Sequence, residues 1–287
     1  MAKGAQYRKF TRSTAGNIGY FTILILFGLF TVFPLFYCII TSLKPLDELL
    51  IFPPRFWVAR PTFDNYRVLP ALLSNLEVPL SRYVFNSLFI AISTTVASII
   101  VGSMAAFTFS KSKIKGARFS FTLITTMMLY NGATLSVPQY LIFSLLGIID
   151  TYWVYILPSL AGTVNCFLMK QFMDASVNDS LLEAARIDGA GVFGMYWKIV
   201  MPIMKPAIMT VLLFSFQSMW SVVPGGTIFS EELKTLPYVM SAVSAGGIAR
   251  SGSAMAITVI LMLPPILVFV VTQSNVLETM GSSGIKE

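Results

Sequence analysis

The most polar well-patterned stretch of this 287-residue chain is LLEAARIDGAGVFGMYWKIVMP, residues 181–202, which carries Glu183, Arg186, Asp188 and Lys198. The residue types that usually carry catalysis are scarce. The chain has no histidine, which excludes a histidine-based triad, a haem histidine and a histidine-containing zinc site, and its two isolated cysteines disfavour a thiolate metal site. No G-x-x-x-x-G-K-[ST] loop is present to hold nucleotide phosphates. We therefore predict no catalytic residue, metal ion or cofactor, and the role of residues 181–202 has to be sought in what they contact.

The composition indicates a membrane protein. Of all residues 55% are hydrophobic and 11% charged, whereas soluble domains have about 25% charged residues. Six apolar runs reach or approach the roughly 20 residues of a transmembrane helix, and a β-barrel is excluded because its strands alternate in polarity over about 10 residues. The sequence predicts an all-α integral membrane protein with six transmembrane helices in one domain, residues 19–273. The predicted spans are Gly19–Leu43, Val84–Phe109, Phe119–Leu146, Tyr152–Met169, Ile203–Val223 and Ala254–Val271.

Ionisable residues are missing from the middles of these six runs. Ion-coupled transporters commonly place such residues, or broken helices, near the middle of the membrane. If the protein moves a solute uphill, its energy source is therefore predicted to lie in another polypeptide. A membrane enzyme is the least favoured class, because it would need titratable groups near its chemistry.

Lys and Arg set the predicted orientation. The short connection KSKIKGAR, residues 111–118, is compact and positive, and such loops stay in the cytoplasm. With six spans, the N-terminus (1–18), the tail (274–287) and residues 174–202 share that side, while a loop at residues 44–83 lies outside. The net charge of +7 does not favour nucleic acid, since the charges flank the spans. Cys38 and Cys166 fall inside spans and are interpreted as packing residues.

Local signals divide residues 180–202 into two helices. Ser180 and Glu183 fit a capping box at the start of the first, and Gly189 interrupts it, with a backbone conformation that a residue with a Cβ adopts at a cost. A second stretch, Val192–Val200, leads to Pro202, predicted in the first turn of the fifth span. From these residues alone, an amphipathic helix on the membrane surface and a helix docked into a partner remain equally open.

A resemblance favours the docked helix. Glu183-Ala184-Ala185, then Gly189, Ile199, Met201 and Pro202 follow the spacing of the EAA loop of bacterial ABC importer permeases, with methionine where leucine is usual. The chain also resembles the carbohydrate-uptake subgroup, similar to the maltose-type permeases, at TSLKP (41–45), DNYRVL (64–69), RYVFNSLFIA (82–91), LGIIDTYW (146–153) and EAARIDGA (183–190). Trp220-Ser221-Val222 departs from the Trp-Asn-Asp or Trp-Asn-Glu that this subgroup often carries. The resemblance implies a type I ABC importer permease fold.

The resemblance also implies roles. The EAA segment, residues 174–202, would be a coupling loop whose helix docks into a cleft of the ATP-binding subunit. Glu183 would contact the ATPase or cap its own helix, Ala184 and Ala185 would fit the cleft, and Gly189 would form the bend. Asp188 would take part in coupling or cap the second helix. Pro202 closes the motif.

Partners follow from the same resemblance. They are a second homologous permease subunit, an ABC ATPase dimer, an extracytoplasmic solute-binding protein and a carbohydrate, expected to be an oligosaccharide, in the lipid of a bacterial cytoplasmic membrane. A permease for another solute, such as a glycerol phosphate or a polyamine, is the alternative within the family. A self-sufficient channel or facilitator is the alternative outside it.

Uncharged polar residues within spans are the candidates for a substrate path. They are Asn131 and Gln139 in the third span and Gln217 and Trp220 in the fifth, because amide groups and aromatic faces suit the edges and faces of sugar rings. Bends are expected in the third span, near Gly132 and Pro138. The alternative is that the amides join neighbouring helices, as is also expected for Asn165. The outer loop, residues 44–83, is predicted to be ordered by its aromatic residues and prolines.

Overall fold

A computed structural model describes residues 14–73, 78–112, 114–130 and 132–283, and within these ranges the regular secondary structure is entirely helical. The predicted all-α class is confirmed. The α-helices in chain order are α1 (Thr14–Ser42), α2 (Leu46–Leu49), α3 (Asp64–Arg67), α4 (Leu69–Leu73), α5 (Leu80–Lys111), α6 (Ala117–Met127), α7 (Gly132–Leu145), α8 (Trp153–Leu160), α9 (Thr163–Ser176), α10 (Asp179–Ile187), α11 (Val192–Met195), α12 (Met201–Ile203), α13 (Lys205–Trp220), α14 (Leu236–Ser244) and α15 (Ser251–Ser283). A π-helical turn, Tyr196–Val200, joins α11 to α12.

Three continuous helices are long and apolar enough to cross a membrane. They cover Gly16–Ser42, Leu80–Lys111 and Ile248–Ser274 among the described residues, at the places of the predicted first, second and sixth spans. A fourth crossing is available where Val192–Ile203 and Lys205–Trp220 meet at a bend of 79°. The predicted fifth span therefore begins at Lys205, after this bend.

The third and fourth predicted spans are each divided into two helices. The predicted third span consists of α6, which ends at Met127, and α7, which begins at Gly132, and Pro138 lies inside α7. The predicted fourth span consists of α8 and α9, separated by Ala161 and Gly162. Hydropathy summed over either run does not reveal such a break. The count of six crossings stays a prediction.

Helix α5 is the centre of the bundle. It contacts α8, α9 and α13, while α13 also packs on α15, and α15 on α1. Small residues permit this close packing: a Cβ added at Gly102 would meet the sulfur of Met169 at 3.8 Å. Proline occurs inside α1, α7, α8 and α15 but not within α5. Because interior prolines commonly kink helices, the absence of proline from α5 suits its central position in the bundle.

The outer loop is ordered where the structure describes it, as predicted; residues 74–77 lie outside the described ranges. Asn65 donates from Nδ2 to the carbonyls of Ser42, at 2.8 Å, and Lys44, at 2.7 Å. Glu48 is buried and accepts hydrogen bonds from the amides of Ala59 and Arg60. These bonds attach the loop to the end of α1.

Candidate functional site

The first helix of the EAA segment, α10, has one buried face and one open face. Leu182 and Ala185 pack into a core cluster with Met173 of α9 and Met195 of α11. Glu183, Ala184 and Ile187 point away from this cluster and are exposed, Ile187 at 87%. The helix is thus fixed to its own chain on one side and free for contact on the other.

Ala184 and Ala185 were predicted to enter a partner's cleft together, and for Ala185 the structure corrects this. Ala185 is 9% exposed and belongs to the core cluster, whereas Ala184 is on the open face. The burial of Ala185 could have been predicted from the sequence, because residues three apart share a helix face and Ala185 is three residues from Leu182. Ile187, unlike Ala185, is an apolar side chain on the open face.

The predicted capping box is not formed. The helix starts at Asp179, with Asn178 at the N-cap position and no side-chain capping bond. Ser180 therefore lies inside the first turn. Asp188 does not cap the second helix either, since it ends α10 and Gly191 occupies the N-cap of α11. The capping alternatives for Glu183 and Asp188 are thus wrong for this structure.

Gly189 has φ of +83°, in the left-handed region, as predicted. Its amide donates to the carbonyl of Arg186 at 3.1 Å, and the amide of Ala190 donates to that of Ala185 at 2.9 Å. This pair of bonds is the Schellman motif, which favours glycine at the left-handed position. A Cβ at Gly189 would meet nothing within 4 Å, so the space beside this residue is open.

The second half of the EAA segment is attached to α5. The hydroxyls of Tyr196 and Ser103 lie 2.6 Å apart in a buried contact, and Val200 is fully buried in the core cluster. Pro202 lies in α12, before the 79° bend. The prediction that Pro202 lies in the first turn of the fifth span is therefore wrong. Pro206 occupies the first turn of α13 instead.

A cavity of about 410 Å³ lies beside the break between α8 and α9. The Asn165 amide donates to the hydroxyl oxygens of Ser98 on α5, at 2.7 Å, and Ser215 on α13, at 2.8 Å. Irregular backbone at membrane depth is tolerated where it lines a polar cavity. We call this space the hydroxyl cavity. Its polar lining residues are Thr94, Ser98, Ser159, Thr163, Asn165, Ser215 and Ser218.

A second cavity, of about 470 Å³, includes Gln139 and is called the Gln139 cavity. Tyr140 and Tyr155 line it together with residues 222–227, which follow α13. Asp150 anchors the residues just after that stretch by accepting hydrogen bonds from the hydroxyl and amide of Ser230 and the amide of Phe229. The Ser230 hydroxyl, with these amides, holds the pKa of the Asp150 carboxyl below its ordinary value.

The predicted path residues are thus separated. Gln139 lines the Gln139 cavity, and Gln217 is exposed on α13 next to Ser218 of the hydroxyl cavity. Trp220 is 3% exposed, and its indole nitrogen donates to the carbonyl of Leu261 at 2.9 Å, so it packs α13 against α15. Asn131 lies outside the described residues.

Two groups were not found from the sequence. The hydroxyls around Asn165 were not singled out, although Pro158 and Gly162 mark a break beside them; Asn165 itself joins α5 and α13, as expected. Lys111 was counted only as a topology signal, yet its side chain is 7% exposed and pairs with Asp179. Within the described ranges, no group of three His, Cys, Asp or Glu side chains could hold a metal ion.

Relatives of known designation match nearly the whole chain. The arabinooligosaccharides transport system permease protein AraQ of Bacillus subtilis (strain 168) is 28% identical over 275 residues, covering 91% of this chain and 93% of that protein. The galactooligosaccharides transport system permease protein GanQ of the same organism is 26% identical over 274 residues, covering 93% and 94%. The sn-glycerol-3-phosphate transport system permease protein UgpE of Brucella suis biovar 1 (strain 1330) is 28% identical over 270 residues, covering 91% and 94%.

A solved structure has the same fold. It is a chain of a bacterial ABC transporter involved in the import of the acidic polysaccharide alginate, similar with a TM-score of 0.76 and 25% identity over 93% of this chain and 99% of that one. The all-α arrangement is therefore the type I ABC importer permease fold expected from the sequence. Residues 98–278 also match the sequence profile of one transport family. The chain belongs to the binding-protein-dependent transport system inner membrane components.

Proposed function

We propose that this chain is a transmembrane permease subunit of an ATP-driven, binding-protein-dependent importer that carries an oligosaccharide across the cytoplasmic membrane. The observation that carries the proposal is the two-faced helix α10. Its inner face is fixed by Leu182 and Ala185, while its outer face presents Ala184 and Ile187 to solvent. A large exposed apolar side chain next to a small residue is suited to enter a cleft of a partner.

The partner for this face is an ABC ATPase dimer, so that ATP hydrolysis takes place on a separate subunit. Glu183 and Asp188 add negative charge to the open face, and Gly189 lets the partner approach the backbone. Ala185 supports the helix from within. Pro202 lies in the short helix that connects this surface to α13, so a displacement of α10 is passed on through the bend.

The hydroxyl cavity is the proposed place of carbohydrate contact on this subunit. Its hydroxyl and amide groups match the hydrogen-bonding edges of a sugar, and Phe214 offers an apolar face beside them. Gln217 extends the polar lining along α13, and Gln139 lines a second space beyond it. Asn131 remains a proposal from the sequence, and Trp220 is assigned to packing. A second homologous permease subunit would complete the path.

The proposed orientation places both termini and the EAA segment in the cytoplasm. The outer loop and the α13–α14 connection then face the extracytoplasmic solute-binding protein. Many side chains of α1 are large, apolar and exposed, as a lipid-facing helix requires. A reporter after Glu287 and another at Ser112 are expected on the cytoplasmic side, and one within the outer loop on the other side.

Glycerol phosphate is the second candidate substrate because of the similarity to UgpE. The lining of the hydroxyl cavity favours a neutral sugar, since none of the residues described around it is charged. Phosphate recognition would call for an arginine, a lysine or a cluster of backbone amides.

Purification of the tagged chain with its partners tests the function. We expect a second permease and an ATPase to co-elute, and mass spectrometry of the solute-binding protein to identify an oligosaccharide. The Ile187→Ser variant should lose the ATPase and keep the second permease. Sugar flux through proteoliposomes that contain this chain alone, without ATP, would identify a facilitator and refute the importer.

A further inference from the structure

Lys111 connects the end of α5 to the start of the EAA helix. Its ammonium nitrogen donates to the carbonyl of Val177 at 2.6 Å and to the carboxylate of Asp179 at 2.9 Å. Its side chain is nearly buried, at 7% exposure. Val177 is the C-cap residue just after α9, and Asp179 is the first residue of α10. One cation thus bridges the junction from which the predicted coupling helix departs.

The side chain of Lys111 is nearly buried, whereas those of the basic neighbours that the structure describes in the same short connection are exposed. Lys115 and Arg118 are exposed, as positive charges at a membrane surface usually are, and Lys113 lies outside the described residues. Burying an ammonium group is favourable only when its hydrogen bonds are supplied. Val177 and Asp179 supply these hydrogen bonds. The buried position of Lys111 therefore depends on the junction between α9 and α10, and the junction is in turn stabilised by Lys111.

Further contacts attach the EAA segment to the same helix. Ser110 donates to the carboxylate of Asp174 near the end of α9, and Ser103 meets the hydroxyl of Tyr196 beyond α10. Helix α10 is therefore flanked by polar connections to α5, before it at Lys111 and after it at Ser103. A displacement of α10 must move α5 or break these bonds.

The other end of α5 holds the connection between α13 and α14. Asn86 is fully buried and donates to the carbonyls of Glu232, at 2.7 Å, and Lys234, at 2.8 Å. The hydroxyl of Ser87 accepts the amide of Leu236 at 2.8 Å. This connection begins with residues 222–227, which line the Gln139 cavity. Asn86 and Lys111 are about 38 Å apart along the helix at its standard rise per residue.

We propose that Lys111 is the positioning residue that couples the EAA helix to α5, and that α5 carries its displacement to the α13–α14 connection. The inference rests on the proposed function, because it assumes that an ATPase moves α10. A helix without an interior proline keeps its length and transmits movement as a rigid element. Lys111 bonds to the start of α10 but also lines a cavity with Glu183, so ATPase retention has to be measured to separate its role from docking.

The test uses the assembled complex of this chain, its second permease and its ATPase in lipid nanodiscs, with Mg²⁺-ATP and vanadate as the probe. Hydrogen exchange is compared with and without the probe at α10 and at residues 230–236. In the parental complex we expect both regions to change. In Lys111→Met, which keeps the apolar stem, α10 should still respond, while the response at 230–236 falls about tenfold, the effect of losing charge-assisted hydrogen bonds.

Two variants separate positioning from general damage. Lys111→Arg supplies the same charge and donors and should restore at least half of the response at residues 230–236. Lys115→Met removes a neighbouring exposed charge and should behave as the parent does. All variants should retain the ATPase at the parental ratio, and Lys111→Met should hydrolyse ATP.

The inference and the proposed function fail in different ways. A parental chain that binds no ATPase overturns the function, and the inference with it. An undiminished response at residues 230–236 in Lys111→Met overturns the inference alone. Release of the ATPase from Lys111→Met would also overturn it, since Lys111 would then act on docking.

Discussion

The EAA segment and the outer loop are both polar stretches between apolar helices, and they use their polar groups in different ways. In the outer loop, the buried side chains of Lys44 and Glu48 bond to backbone groups of the same loop. In the EAA segment, Glu183 and Asp188 are exposed on the open face of α10 beside Ile187. The buried charges of the outer loop are thus bonded within the chain, whereas the charges of α10 are exposed beside an exposed apolar side chain.

The largest expected effect separates the two faces of α10. Ala185→Asp introduces a carboxylate into the core cluster and should destabilise the chain by about 3 kcal/mol or more, because a buried charge without a partner is unfavourable. Ala184→Asp introduces the same group on the open face and should leave the stability unchanged while weakening ATPase binding. Thermal unfolding in detergent and ATPase co-purification measure the two effects. Equal stability of both variants would contradict the assignment of faces.

The next effect concerns the apolar surface of α10. Ile187→Ser should weaken ATPase binding by about 2 kcal/mol, a typical value for truncating an apolar residue at the centre of an interface. Leu50→Ser is the matched change in the outer loop, where Leu50 is 60% exposed, and it should leave the ATPase bound. Titration of the ATPase onto the permease pair in nanodiscs gives both affinities. If both variants bind equally, the open face of α10 is not the docking surface.

The outer loop gives the opposite pattern. Asn65→Leu removes the donor shared by the carbonyls of Ser42 and Lys44 and should lower the stability by about 1–3 kcal/mol. Packing is also tight here, since a Cβ at Gly252 would lie 2.5 Å from the Asn65 side-chain oxygen. ATPase affinity should stay at the parental value, because in the proposed orientation this loop lies on the opposite side of the membrane from the EAA segment. Loss of ATPase binding without loss of stability would remove the contrast between the two regions.

Sequence reasoning succeeded where a local residue type decides the structure. Gly189 after a helix predicted a left-handed residue, and φ is +83° there. The six apolar runs predicted a helical membrane protein, but hydropathy adds up across short interruptions and did not locate the breaks after Met127 and after Leu160. Residue types alone could not predict which charged side chains are buried. Lys111 and Lys115 look alike in the sequence, and the fold buries one and exposes the other.

The smallest expected effect tests the bend that orients α10. Gly189 has a positive φ, and Gly191 has φ of −70°, and a Cβ at either glycine would meet nothing within 4 Å. The two glycines therefore have equal space for a side chain, and they differ only in backbone conformation. Gly189→Ala should lower the stability by about 1 kcal/mol, because a Cβ disfavours the left-handed region. Gly191→Ala should change it by only a few tenths of a kcal/mol, since exchanging glycine for alanine at an N-cap has a small effect. Chemical denaturation of the two variants measures the difference directly.

Gly189→Leu should show the same strain in the isolated chain but a larger loss of ATPase affinity, because its added bulk points into the space left for the partner. If Gly189→Leu binds the ATPase as tightly as Gly189→Ala, the bend does not approach the ATPase, and the open face of α10 ends before it.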